Sequence, residues 1–142
     1  MKPVTTFLLP FLALAVAAMT PASHAADVTL VVTHARDTGA RVYVQLCTEA
    51  EFLKRCALRQ KAEATDDTLT FLFKDVPPGA YAATAFQDVN DDARLGRNGF
   101  GAPNEPWAVS NGAKGMMGPP AFQDARFTVG EGAVSQKLRL DD

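Results

Sequence analysis

Histidine, serine and cysteine are scarce in this chain, and their scarcity removes most familiar chemistries before any pattern is read. Of two histidines, His24 falls in a segment interpreted below as an export signal, which leaves His34 as the only one in the mature protein. Two cysteines and one histidine make a poor zinc set. Ser110 and Ser135 are the only serines beyond residue 25, and neither stands in a G-x-S-x-G turn. A catalytic triad would have to recruit His34, which continues the alternating face of Val28, Leu30 and Val32 and reads as a packed or rim residue. Basic runs are also missing. With 14 basic and 16 acidic residues the formal net charge is −2, and losing Lys2 makes the mature chain one unit more negative, so nucleic acid bound through its phosphates is excluded. Beyond residue 25 no apolar stretch approaches the ~20 residues of a membrane span.

What is present begins with the amino terminus. Lys2 supplies a positive start, Phe7 to Met19 is an apolar run interrupted by Pro10, and Ser23-His24-Ala25 places small residues at the positions that direct cleavage. Residues 1–25 therefore read as a secretory signal cut before Ala26, and residues 26–142 as one domain outside the cytoplasm, periplasmic or secreted. In that setting Cys47 and Cys56 read as one disulfide. Their spacing is not C-x-x-C, so the pair is taken as a structural staple.

Period-2 alternation dominates, as strands require. Val28, Leu30 and Val32 define a first strand, with turn chemistry at Arg36 to Gly39. Val42, Val44 and Leu46 share one face of a second. Residues 48–55 have room for a helical turn inside the disulfide loop, 57–64 read as a weak edge strand, and Leu69, Phe71 and Phe73 define a fourth. Val76-Pro77-Pro78-Gly79 breaks the pattern before a strand over 81–87, whose Tyr81 is placed to return its hydroxyl to nearby backbone, as at a sandwich corner. Two more strands are carried by Ala125, Phe127 and Val129, and by Val134, Leu138 and Leu140. Seven short strands predict an all-β, antiparallel two-sheet sandwich of immunoglobulin-like or transthyretin-like type.

Residues 88–121 fit no strand or helix pattern. Loops this long in compact domains are usually functional or disordered. Trp107, Phe100, Met116 and Met117 argue for order, since disordered segments are poor in such residues. Asn98-Gly99 and Asn111-Gly112 are turn signals that predict hairpin-like excursions. The segment is therefore the expected site of function, with Phe100, Trp107 and the Met116-Met117 pair as apolar anchors, because aromatic residues dominate interface energetics.

Asp88-Val89-Asn90-Asp91-Asp92 places oxygen ligands at alternate positions, as the first half of a calcium loop does, and Glu105 could complete a site from a distance. Ala93 stands where such a loop wants glycine, and Gly99 falls where a glutamate would close the shell. A solvated acidic turn is the competing reading. Asp88 with Glu105 is also conceivable as a glycosidase-type carboxylate pair, although nothing in the spacing selects it.

Several segments stand in an ordered succession: Pro77-Pro78-Gly79-Ala80-Tyr81-Ala82, then Asp88 to Gly96, then Gly101-Ala102-Pro103-Asn104-Glu105, Ser110-Asn111, and Gly118-Pro119-Pro120-Ala121-Phe122 leading to Phe127. In this the chain resembles an uncharacterised family of small exported bacterial proteins with a domain of unknown function. Two positions depart from the family pattern: Ala93 replaces its glycine and Gly96 its aspartate. The resemblance implies a periplasmic or secreted β-sandwich and brings no activity or cofactor. The leading expectation is then a non-enzymatic module whose 88–121 loop binds a peptide, a glycan or an envelope protein, with Phe100, Trp107, Ser110 and Asn111 as its binding residues. The alternatives are a calcium-stabilised structural domain using Asp88, Asn90, Asp92 and Glu105, and a carboxylate-based hydrolase.

Overall fold

In the computed structural model, Pro3, residues 24–36 and residues 39–141 are described. Nearly all of the expected signal at 1–25, and Asp37-Thr38 of the first turn, lie outside the described residues.

Among the described residues, eight strands form two sheets. The first sheet has the order β4-β1-β8, where β1 is Ala26–Thr33, β4 is Thr68–Val76 and β8 is Val134–Arg139. The second has the order β3-β2-β5-β6, with β2 Arg41–Cys47, β3 Leu58–Glu63, β5 Gly79–Asp88 and β6 Trp107–Val109. A short β7, Phe127–Val129, pairs with the start of β5. The sheets face each other across one core. Val28, Leu30, Val32, Phe71 and Leu138 from the first meet Val42, Val44, Leu46, Ala83 and Ala85 from the second. Alternation explains this directly, because residues two apart along a strand share a face.

The all-β sandwich expectation holds, with two corrections. Sequence patterning predicts seven strands; β6 is the eighth, too short at three residues for any period to register. The sandwich is also not wholly antiparallel. β8 runs parallel to β1, from Val28 opposite Val134 to Thr33 opposite Arg139, because the chain returns to the far edge of the first sheet after crossing from β7.

Pro77-Pro78 is the whole connection between β4 in one sheet and β5 in the other. Neither proline could donate to a ladder, so both fall where no ladder runs. Tyr81 faces the core and is buried, but its hydroxyl makes no hydrogen bond to backbone, so the expected corner bond is absent among the described residues. Burial, and secondarily the charge of Glu51, pushes its phenol above the ordinary range.

The outer face of the second sheet carries a smaller cluster. Cys47 and Cys56 form the predicted disulfide, with Cα atoms 5.1 Å apart. It packs with Phe52, Ala82, Val109 and Phe122, and Phe52 meets the edge of the Phe122 ring at 5.6 Å. Phe122 belongs to a one-turn helix, α1 (Phe122–Ala125), which occupies positions where the alternating pattern of Ala125 and Phe127 predicts strand only.

Candidate functional site

The segment 88–121 is ordered as two loops, each tied at its neck by the polar residues of the sequence motifs. The first loop leaves β5 at Asp88 and returns at Glu105. Both carboxylates are buried. Asp88 Oδ1 and Oδ2 accept the backbone N–H groups of Asp92 and Ala93 at 3.1 and 2.8 Å. Glu105 Oε1 and Oε2 accept those of Val89 and Gly96 at 2.8 and 2.7 Å. These four N–H groups sit where the chain turns too sharply to find a strand partner, and charged acceptors are the strongest substitute available. Beyond Gly96 the chain forms a small hairpin: Asn104 N–H reaches Gly96 O, Asn98 N–H reaches Ala102 O, and Asn98 Oδ1 accepts from Phe100 and Ala102. This is the excursion that Asn98-Gly99 predicts, and Phe100 stands at its tip, 98% exposed.

The second loop is held by Ser110 and Asn111. β6 and β7 lie along the same edge of β5, β6 opposite Thr84 to Phe86 and β7 opposite Gly79 to Tyr81. The ladder therefore breaks near Ala83. Ser110 fills the break: its Oγ accepts the Ala83 N–H at 2.9 Å and donates to Ala125 O at 2.5 Å. Asn111, in the left-handed region at φ 60°, donates through Nδ2 to Asp124 O and Arg126 O at 3.1 and 3.0 Å. The chain between swings out and exposes Met116 and Met117 completely.

The predicted site residues thus fall into two groups. Asp88, Glu105, Ser110 and Asn111 spend their hydrogen-bonding groups on backbone within the protein. Asn90 Nδ2 bonds to Asp92 Oδ2 at 3.2 Å, and Asp92 Oδ1 accepts from Arg94 N–H at 2.9 Å. The oxygens that the calcium expectation needs are therefore turned toward donors of the loop itself. Among the described residues, no three histidine, cysteine, aspartate or glutamate side chains gather as a metal set. Phe100, Met116 and Met117 are exposed, whereas Trp107 is half-buried against the disulfide cluster.

The outer face of the second sheet, beside the two loops, forms an open cleft of about 1230 Å³. A row of residues in register crosses its floor: Lys61 on β3, Tyr43 on β2, Phe86 on β5 and Trp107 on β6. Tyr43 and Phe86 stack at 5.1 Å with planes 6° apart, and the Lys61 ammonium lies 5.7 Å from the Tyr43 ring centre. Leu53, Phe100, Met116 and Met117 border the cleft as exposed apolar side chains. Tyr43 and Phe86 are absent from the sequence-predicted site. A signal for them existed, since Val42, Val44 and Leu46 already claim the inner face of β2 and force Tyr43 outward.

No helix among the described residues is long and apolar enough to cross a membrane. Residues 30–137 match the family described as an uncharacterized protein conserved in bacteria, DUF2141, and the chain belongs to that family. No curated protein and no solved structure matches it.

Proposed function

We propose that this member of an uncharacterised bacterial family is an exported, non-catalytic binding module, and that its ligand lies in the cleft on the outer face of the second sheet. The observation that carries the reading is the exposure of Phe100, Met116 and Met117 on two tightly tied loops bordering one concave surface. Monomeric proteins rarely display contiguous apolar surface without a partner for it. The tying matters as much as the exposure. Loops anchored at their necks by Asp88, Glu105, Ser110 and Asn111 present their tips with little ordering left to be done on binding, which lowers the entropic cost of association.

The same hydrogen bonds weigh against the other two functions. We infer that the acidic turn closes on backbone N–H groups, and that Asp88 and Glu105 serve as braces with no role toward a substrate. Export is supported by the apolar run Phe7 to Met19, the small residues before Ala26 and the disulfide.

The test is a peptide array and a glycan array probed with the mature protein and with Phe86→Asp, which places a charge on the cleft floor and leaves the inner core alone. Signals lost in the variant support a cleft ligand. Array profiles identical for the two proteins would remove the cleft from consideration. Amino-terminal sequencing of protein recovered from its cell envelope should begin at Ala26, and an intact Met1 would overturn the export reading.

A further inference from the structure

We infer that the cleft takes an acidic peptide segment in extended conformation that also carries apolar side chains; this rests on the cleft being the binding site. The first observation is electrostatic. The chain has more acidic than basic residues overall, yet among the described residues the cleft is lined by seven cations and by no aspartate or glutamate. Lys54 and Arg55 come from the disulfide loop, Arg59 and Lys61 from β3, Arg94 and Arg97 from the first tied loop, and Lys114 from the second. Of these, only Lys114 has a carboxylate partner among the described residues, Asp141 at 3.3 Å. A concave surface lined by one sign of charge focuses its field and attracts the opposite sign. Lys54 and Arg97 also donate to Ala50 O and Gly101 O, and Lys61 lies over Tyr43, but none of these contacts offsets the mutual repulsion of the gathered cations as a bound anion would.

Further observations select a peptide. The central ring of the floor, Tyr43, has no free flat face on which a sugar ring would stack. Tyr43 is flanked in the row by Phe86 on one side and by Lys61 on the other, so its faces are already engaged. A membrane surface is disfavoured because Tyr43, Phe86 and Trp107 are only partly exposed on the floor of a concave surface, whose border a flat bilayer would meet first. Phe100, Met116 and Met117 are aromatic or unbranched and adaptable, and with Leu53 beside them they accommodate apolar residues of a peptide. The four-strand row spans roughly 14 Å at the usual strand spacing, the reach of about four or five extended residues.

Trp107 is the only tryptophan and borders the cleft, so its fluorescence reports occupancy. The mature protein is titrated with a flexible glutamate–leucine–glycine peptide, with its lysine–leucine–glycine counterpart, with alginate, and with phosphatidylglycerol vesicles. The acidic peptide should bind with micromolar Kd and weaken about tenfold or more between low and high salt, as exposed charge attraction does. The double variant Arg59→Glu with Lys61→Glu should lose that binding, and a second pair, Arg94→Glu with Arg97→Glu, should lose it as well. Lys74→Glu with Lys137→Glu, on the other sheet, should leave it unchanged. Binding of the lysine peptide as tightly as the acidic one would overturn the inference. Preference for alginate or for vesicles, lost in Phe86→Asp, would also overturn it while leaving the cleft as the binding site. If no probe binds the mature protein, and neither array distinguishes it from Phe86→Asp, both readings fall together.

Discussion

Glu105 accepts the backbone N–H of Gly96 at 2.7 Å across the neck of the first loop, a close approach made at a residue with no side chain. A Cβ there would lie 2.3 Å from Asn104 Oδ1 and 3.3 Å from Glu105 Oε2. The Asn104 oxygen ends an exposed side chain that can turn aside, whereas Glu105 is buried and held by two backbone N–H groups. Gly96→Ala should therefore turn the Asn104 side chain aside, crowd Glu105 by a few tenths of an ångström and lower the melting temperature slightly.

The companion substitution is Glu105→Gln. It keeps one acceptor oxygen and turns an NH2 group toward a backbone N–H that then has no partner. A buried donor left unsatisfied costs about 1–3 kcal/mol, and urea unfolding followed by circular dichroism measures the loss. A hydrolase that used Glu105 as its acid would show the opposite signature, a stable protein without activity.

Ala93 adopts φ 60° while its N–H donates to Asp88. A non-glycine residue held in the left-handed region carries strain of about 1 kcal/mol, which glycine largely relieves. Ala93→Gly should therefore stabilise the protein, by about 3–5 °C in melting temperature for a domain of this size. A fall in melting temperature would mean that the added freedom of the unfolded chain outweighs the relieved strain.

Much of this architecture is legible in the sequence because alternation is a local signal. β1, β2, β4 and β8 announce themselves through pairs such as Val28 and Leu30, or Val42 and Val44, whose inward facing needs nothing from elsewhere in the chain. β6 is invisible for the opposite reason: Trp107 to Val109 become a strand only because β5 offers them an edge. The roles of Ser110 and Asn111 are likewise non-local. Their partners Ala83, Asp124 and Arg126 are separated from them along the chain, so their motif draws attention without disclosing that it braces backbone. The cleft was hidden differently. Its cations come from four segments, none of them a basic run, and only folding gathers them.

Calcium should have little effect on melting. Asp88, Asp92 and Glu105 already direct their oxygens at donors within the loop, so an ion would have to displace those hydrogen bonds to gain its ligands. Melting curves recorded after chelation and with millimolar calcium should superimpose. Binding at a hundred times Kd would instead raise stability by about 2.7 kcal/mol, and a shift of that kind would show that the loop rearranges around the ion.

Acid should loosen the disulfide loop before it unfolds the core. Glu51 accepts from the backbone N–H of Thr48 and of Ala57 and from the Thr48 hydroxyl, and these bonds hold its pKa below the ordinary glutamate value. A depressed folded pKa means that the stabilisation is present above the ordinary glutamate range and is lost as pH falls through the folded value. Protection factors of the amides in 48–57, which remove the intrinsic slowing of exchange in acid, should therefore fall on acidification, and Glu51→Gln should remove that part of the pH dependence. An unchanged profile in the variant would show that Glu51 does not control the loop.

Reduction of the Cys47–Cys56 bond should act on the cleft as well as on stability. Closing a loop of this length stabilises a protein by roughly 2.5–3 kcal/mol in the chain-entropy account, so Cys47→Ala with Cys56→Ala should lower the unfolding free energy by about that amount while the sandwich core, which the bond does not enter, still folds. The loop it closes also carries Leu53, Lys54 and Arg55 to the border of the cleft. Freed of the bond, these residues would have to be ordered again each time a ligand bound. Affinity for the acidic peptide should then fall in the double variant at temperatures well below its melting point. Unchanged affinity in a demonstrably folded variant would show that the disulfide loop borders the cleft without contributing to binding, and would leave recognition to β3 and the two tied loops.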